Sequence, residues 1–480
     1  MNQGFNKELE NVLDSFKVGF HVPGHNRGKI FEKLGYKSTF STQMDTTEIP
    51  GTDNLFQPES FIKESQERAS KWFKSIRTHF LVNGSTCGNY AMLHSACKPS
   101  DSVIIGRDSH RSVYNGLLLG DLNPIYMYPE VQTEDQLPLG YEPEELDRLL
   151  HKHPEVKAVH ITRPNYYGVC SDIDAIVKVC RKFDVLLLVD EAHGAHLHLS
   201  ALLPISAVEA GADMVVQSIH KTLPSVTQTS LLHVCSNRVD LKRLDLMLQI
   251  HQSTSPSYLL MSAIDQAVDI IEKHGRKLMK ELTSYIEVFK NELRAIPEVS
   301  ILDNVVGGYQ RDQSKLVFGF VNHGISGMEL ECILREQYGI QLEMSNAFYG
   351  VGVSTISHEK EDFEQLIEAI KNIASSPKGT FKSTSSHMFP KTYDIGRSIR
   401  QSIYSPCETI LLDEANGRLS CEFVIPYPPG VPVLIPGERI TAEKIDYLKT
   451  LYTEGYTLIG LSDKAGNSID VIDQKEDHHG

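Results

Sequence analysis

Lys221 is the residue whose setting most calls for chemistry. In VVQSIHKTLPSVTQTS (215–230) it closes an apolar strand and follows Ser218 and His220. A lysine held there can form a Schiff base, provided its pKa is lowered enough to leave free amine. Ser218 and His220 can donate hydrogen bonds to a phosphate. Asp190 ends the apolar run of LLLVDEAHGAHLH (186–198), 31 residues before Lys221. A buried carboxylate is costly without a partner, and a protonated heterocyclic nitrogen is one such partner. The spacing leaves room for one helix and one strand, which sets both residues at the carboxyl edge of one sheet. Taken singly, Lys221 can open a loop and Asp190 can cap a strand or join an ion pair.

Three further segments repeat the pattern of a strand followed by polar residues. LVNGSTCGNYAML (81–93) reads as strand, Gly-Ser-Thr turn and helix. Its backbone N–H groups and the Ser85 and Thr86 hydroxyls suit a phosphate dianion, although the same turn is often only a helix cap. In GRDSHRSVYNG (106–116) His110 follows a strand, so its imidazole can lie over an aromatic ring; alone it reads as an exposed loop histidine. In HITRPNYYGVCSD (160–172) Thr162 ends a strand, and Tyr166, Tyr167 and Gly168 turn beside the same edge. Together the segments supply a phosphate cradle, a stacking ring, a pyridinium acceptor and a Schiff-base lysine, in chain order. That set is a site for pyridoxal 5'-phosphate.

Other motifs carry less. DEAH (190–193) spells a helicase box, but Gly28-Lys29 is followed by Ile30 and lacks the P-loop spacing. HGAHLH (193–198) has no acidic or Cys partner at ligand spacing, so no metal is expected. Cys407, in SPCET, has no companion base.

The elements that must position these residues follow from the apolar runs. HFLV (79–82), SVIIG (102–106), PIYMY (124–128), VKAVHIT (156–162), DVLLLVD (184–190), DMVVQS (213–218) and TSLLHVC (229–235) read as strands, with helical patterns between them. Continuous apolar strands alternating with helices predict an α/β fold with a mostly parallel sheet covered on both faces. Residues 1–60 read as an irregular segment and 61–295 as a large domain, ending in a long helical region over 256–295. Residues 296–376 read as a smaller α/β domain, 377–390 as a linker rich in Ser and Lys, and 391–480 as a C-terminal domain whose last ten residues are frayed.

The 480 residues are enough for two or three domains. Lys and Arg number 47 against 62 Asp and Glu, a net charge of −15, which argues against a nucleic-acid partner and weakly favours a cationic one. Eight cysteines without a C-x-x-C pair predict neither a disulfide scaffold nor a zinc ribbon. No apolar run reaches membrane-spanning length, and the N-terminus lacks the apolar stretch of a signal peptide. The chain is therefore expected to be soluble, reduced and cytoplasmic, with no membrane partner.

Five stretches at once resemble the Orn/Lys/Arg decarboxylase family. They are SIHK (218–221), DEAHGAH (190–196), HVPGHNRG (21–28), TEIPGTDN (47–54) and PYPPGVPVLIPGE (426–438). The likeness runs from about residue 20 to residue 460, in the compact form without an N-terminal receiver-like domain. It implies a fold-type-I pyridoxal-phosphate enzyme that decarboxylates a basic amino acid: arginine first, then lysine or ornithine. It implies Lys221 as the Schiff-base lysine, Asp190 on the pyridine nitrogen and His110 stacked on the ring. Ser85, Thr86, Ser218 and His220 would hold the phosphate, with His193 and Thr162 flanking the ring. His220 or Lys221 would return the proton to Cα. It further implies a homodimer or dimer-built assembly, with the PGH and TEIPG segments near the partner's site. Two departures stand out: Asn26 and Arg27 replace the usual Lys-Gly of PGHKGG, and Asn54 replaces an acid. An aminotransferase or aldolase on the same fold, or a silent regulatory relative, are the alternatives.

Overall fold

The computed structural model describes residues 17–21, 23–36, 45–49, 51–132, 134–135, 137–381, 390, 394–427, 430–463 and 466–473. Residues 1–16, most of the expected linker (382–389) and residues 474–480 lie outside the described residues, while Val471 and Ile472, expected to be frayed, are paired in a strand.

Seven strands build the central sheet: β1 (Arg77–Leu81), β2 (Ser102–Gly106), β3 (Asn123–Met127), β4 (Ala158–Thr162), β5 (Leu186–Asp190), β6 (Met214–Gln217) and β7 (Ser230–Val234). Their order across the sheet is β1-β7-β6-β5-β4-β2-β3. Most pairings are parallel, but β7 runs antiparallel to both of its neighbours, β1 and β6. The apolar runs become strands because both sheet faces are covered: Val103 and Val216 pack into one buried cluster, Ile104, Val159 and Val215 into another. Register sets Asp190 beside Thr162 on one side and Val216 on the other. The reversal of β7 brings its first residue, Ser230, to the edge where its neighbours end, opposite Leu81.

A second, antiparallel sheet joins Ser300–Ile301, Lys315–Gly319, Gly350–Val353 and Met344–Ser345, in that order. The early strand Val18–Phe20 pairs in parallel with Ile340–Leu342, so the N-terminal segment is tied to this later part of the chain. Phe20, Phe289, Phe318 and Phe363 share one buried cluster with Ile219 and Leu223, which flank Lys221. Residues of both sheets thus share one core beside the Lys221 turn.

The C-terminal part pairs Cys407–Leu411 with Ser468–Ile472 and carries the helix Ala442–Thr453 over its own apolar cluster. Its GVPVLIPGE stretch wraps a buried arginine of the large sheet. Arg107 donates to the Pro432 and Val433 carbonyls, at 2.5 and 3.1 Å, and lies 3.4 Å from the Glu438 carboxylate. Lys444 reaches the other Glu438 oxygen.

One expectation is overturned. Cys407 and Cys421 form a disulfide, their Cα atoms 6.5 Å apart, so the chain is not fully reduced and Cys407 carries no thiol to act as a nucleophile. Disulfide pairing depends on Cα proximity, which Cys counts do not reveal. No helix among the described residues is long and apolar enough to cross a membrane.

Candidate active site

The site forms where β1, β2, β4, β5 and β6 end. After β6, Ser218 leads into the short helix Ile219–Thr222, and Lys221 donates its N–H to the Ser218 carbonyl at 3.1 Å. The PGH segment packs against this turn within the same chain. Gly24 donates its N–H to the His220 carbonyl at 2.6 Å and accepts from Thr355 and Ser357 at 2.8 and 2.7 Å. A Cβ on Gly24 would lie 2.8 Å from the Leu223 carbonyl oxygen, so only glycine fits this close approach.

The Lys221 side chain, partly exposed, meets His193 from the loop after β5: Nζ lies 3.2 Å from His193 Nε2. Burial is the chief cause of the lowered Lys221 pKa; Asp190 and Glu343 oppose it. Burial and the nearby cations hold His193 well below its ordinary pKa, so its ring is neutral. Its second nitrogen, Nδ1, lies 3.0 Å from Nζ of Lys315 in the second sheet. The Tyr166 ring stands 4.9 Å from the His193 ring.

Asp190 is 3% exposed, and both donors to its carboxylate are neutral: Asn89 Nδ2 at 2.8 Å and the Ala192 N–H at 3.1 Å. Asn89, on the helix Gly84–Ala96, joins three elements. Its amide also donates to Ser112 Oγ at 2.9 Å, and its carbonyl lies 3.2 Å from His160 Nε2. Ser112 Oγ lies 2.9 Å from His110 Nδ1, which also accepts the Ser112 N–H at 3.2 Å. His110 therefore caps the helix Arg111–Gly120 through Nδ1 and carries its ring proton on Nε2. His110 has a lowered pKa; desolvation of its ring is the main cause, followed by the Lys221 charge.

A cluster of hydroxyls stands at the start of the helix Gly84–Ala96. Ser85 Oγ lies 2.6 Å from Ser218 Oγ and 3.1 Å from Ser230 Oγ. Thr86 is exposed at the same turn. His220 donates Nδ1–H to the Thr229 carbonyl at 2.8 Å, leaving Nε2 as its other ring nitrogen; burial pulls its pKa down to about 4. Thr162 Oγ1 is buried without a hydrogen-bond partner.

The structure thus brings Lys221, His193, Asp190, His110, Ser85, Thr86, Ser218, His220 and Thr162 to one edge. The three histidines of HGAHLH face different partners. His193 faces the lysines, His196 lies 3.1 Å from Asp312, and His198 lies 3.6 Å from Glu209. Sequence reasoning missed Asn89, Ser230, Lys315 and Glu343. Asn89 was findable, because it lies four residues after Ser85 and so on the same helix face. Ser230 begins a strand, and Lys315 and Glu343 come from a distant sheet, so no local signal marked them.

These residues fit pyridoxal phosphate. The hydroxyl cluster sits at a helix N-terminus, where a dianion is stabilised. The orphaned Thr162 hydroxyl faces no protein partner, and the buried Asp190 has only neutral donors.

The family model for the Orn/Lys/Arg decarboxylase major domain matches residues 4–318, and that for the C-terminal domain matches 382–465. The chain is 32% identical over 467 residues to an arginine decarboxylase of Bacillus subtilis, covering 96% of this chain and 95% of that protein. It is 20% identical over 564 residues to a lysine decarboxylase of Pseudomonas aeruginosa, covering 93% of this chain and 75% of that one. Among solved structures, the constitutive lysine decarboxylase of Escherichia coli superposes with a TM-score of 0.77 at 19% identity, over 98% of this chain and 81% of that one. The fold is that of fold-type-I pyridoxal-phosphate enzymes, and family membership implies this cofactor. With its sheet edge, its lysine and both family domains in one chain, the protein belongs to the Orn/Lys/Arg decarboxylase family of pyridoxal-phosphate-dependent amino-acid decarboxylases.

Proposed function

We propose that the protein releases CO2 from arginine, with lysine and ornithine as the next choices. The observation that carries this reading is Lys221, its pKa lowered by burial, facing neutral His193 at the edge where Asp190 stands. The near full-length match to curated arginine decarboxylases supports arginine over its shorter homologues. Glu343 adds negative charge on the side of the second sheet, which suits a cationic substrate.

In this reading Lys221 holds the aldehyde carbon of pyridoxal phosphate, Asp190 its ring nitrogen and His110 one ring face. Ser85, Thr86, Ser218, Ser230 and His220 hold the phosphate, and Thr162 and His193 flank the ring. When bound, the cofactor supplies an electron sink conjugated to the substrate Cα. Asp190, fixed by Asn89, would keep a proton on the cofactor's ring nitrogen. Ser112 fixes the His110 tautomer and so the ring plane. His220 commits Nδ1 to the backbone, leaving Nε2 to exchange a proton with the site. Lys221 or His220 returns the proton to Cα.

The domain division at 61–295, 296–376 and 391–480, a homodimer and a cytoplasmic setting belong to the same proposal. The test is capture of labelled CO2 from carboxyl-labelled arginine, lysine and ornithine, offered separately, beside an assay for glutamate formed from 2-oxoglutarate. Release from arginine above the other two is expected. Glutamate without CO2 makes the protein an aminotransferase, and neither product with cofactor bound makes it a silent relative. Sedimentation that finds an active monomer overturns the dimer.

A further inference from the structure

His193 lies between two lysines, and elementary hydrogen-bond chemistry limits their charges. Its neutral ring has one N–H and one lone pair, whereas an ammonium group has donors only. With Lys221 Nζ 3.2 Å from Nε2 and Lys315 Nζ 3.0 Å from Nδ1, two ammonium groups cannot both be bonded. One amine must be unprotonated and accept the ring N–H.

We infer that Lys315 is a positioning residue that shares one proton with Lys221 through the His193 ring. The inference rests on the reading of Lys221 as the amine that holds the cofactor. In the transfer, Lys221 Nζ gives a proton to His193 Nε2 while His193 Nδ1 gives its proton to Lys315 Nζ. The ring changes tautomer, the pair keeps a single positive charge, and nothing is oxidised or reduced.

Lys315 is held for this task. It is 1% exposed at the start of Lys315–Gly319. The preceding residues are bound to the loop after β4: Arg311 Nε donates to the Tyr167 carbonyl at 3.0 Å and Asp312 N–H to the Gly168 carbonyl at 2.8 Å. Gly168 has φ +85°, and a Cβ there would lie 2.6 Å from the Asp312 carbonyl oxygen. Asp312 is occupied by His196 Nε2 at 3.1 Å and Ser314 Oγ at 2.9 Å, which locks the turn.

The charged and titratable groups around Lys315 are His193, Asp312, Glu343, Arg311 and Lys221; those around Lys221 are Asp190, Glu343, His110, His193, His220 and Lys315. Burial, the largest influence, brings Lys315 down to about 8 and also lowers Lys221, so neither amine is an ordinary surface ammonium.

The test uses the full-length protein freed of cofactor and treated with trace acetic anhydride from about pH 6 to about pH 10. Peptide mass spectrometry then gives the titration midpoint of Lys221, which is partly exposed where Lys315 is not. Lys315→Met is expected to raise the midpoint by about one pH unit, because the proton stays on Lys221. Lys315→Arg is expected to leave it unchanged or lower. A guanidinium only donates, so His193 Nδ1 accepts and Nε2–H is left to donate to a Lys221 amine. An unshifted midpoint in Lys315→Met, or shifts of equal sign and size in both variants, overturns the proposal. If Lys315→Met does not fold, Lys315→Arg decides alone: an unchanged or lower midpoint supports the proposal and a raised one overturns it. Borohydride reduction of the cofactor-loaded wild type separates the two readings. A pyridoxyl group on Lys221 upholds the assignment beneath the proposal, and one on Lys315 overturns that assignment whatever the midpoints.

Discussion

Asn89 is the residue on which the site's geometry turns. Its amide donates to Asp190 and Ser112, and its carbonyl faces His160, so one side chain fixes the carboxylate and, through Ser112, the His110 ring. Removing it leaves the buried Asp190 oxygen short of a donor, a loss of about 1–3 kcal/mol. Asn89→Ala should therefore cut kcat by about tenfold to a hundredfold. Steady-state CO2 release checks this, and a rate within twofold of wild type would remove Asn89 from the role. Asp190→Asn should act more severely while the protein still binds cofactor. An amide cannot hold a ring proton by charge, so turnover should fall by about a hundredfold or more. Visible absorbance of the loaded variant reports binding, and CO2 release reports rate.

At the scale of elements, the C-terminal part acts as a brace on the site. Arg107 follows β2 directly and precedes His110 by three residues, and its guanidinium is enclosed by the GVPVLIPGE stretch. The Arg107 carbonyl also accepts from Tyr114 OH at 2.8 Å, tying the His110 loop to the helix that follows. Arg107 and Glu438 are each 1% exposed, and Lys444 shares the Glu438 carboxylate. Breaking a buried pair by removing one partner costs about 3–5 kcal/mol. Glu438→Ala leaves two buried cations and should lower stability by about that amount, measured by denaturant unfolding against wild type. A change under about 1 kcal/mol would show that the brace contributes nothing to folding. The N-terminal segment makes a second brace. Gly24→Ala puts a methyl against the Leu223 carbonyl and should displace the Lys221 turn. Cofactor titration should show weaker binding, because Gly24 is held between the His220 turn and the turn at 355–357 that follows the second sheet.

The whole molecule buries neutral histidines, and this sets its behaviour in acid. Burial pulls His79 down to about 3 and His160 and His198 to about 4, against an ordinary value of 6.5. A group with a depressed folded pKa contributes stability that is present above the unfolded value and is lost as pH falls toward the folded value. The sign is therefore fixed: the folded state loses stability between about pH 6.5 and about pH 4, as the unfolded chain takes up protons that the folded chain refuses. Each such histidine contributes a slope of about 1.4 kcal/mol per pH unit across that window. Thermal unfolding midpoints should fall steeply from pH 6.5 to pH 4.5. A flat profile there would mean that these rings are protonated in the folded protein.

Much of this protein is fixed by local pattern. Apolar β-branched runs between helical stretches specify buried strands, because only a sheet covered on both faces accommodates them, and the polar residues that close those strands must then stand at one edge. Lys221, Asp190, His110, Ser85, Ser218 and Thr162 were legible for that reason. Tertiary structure alone decided what comes from elsewhere in the chain. Ser230 reaches the site because β7 runs backwards, and strand direction is set by partners rather than by composition. Lys315 meets His193 from 122 residues away. The Cys407–Cys421 bond needed two segments to bring their Cα atoms within 6.5 Å. The enclosure of Arg107 by residues 432–438 needed two units to fold against each other. Residue type and spacing select the chemistry that the chain can carry; the packing of distant segments fixes which charges meet and which proton each one holds.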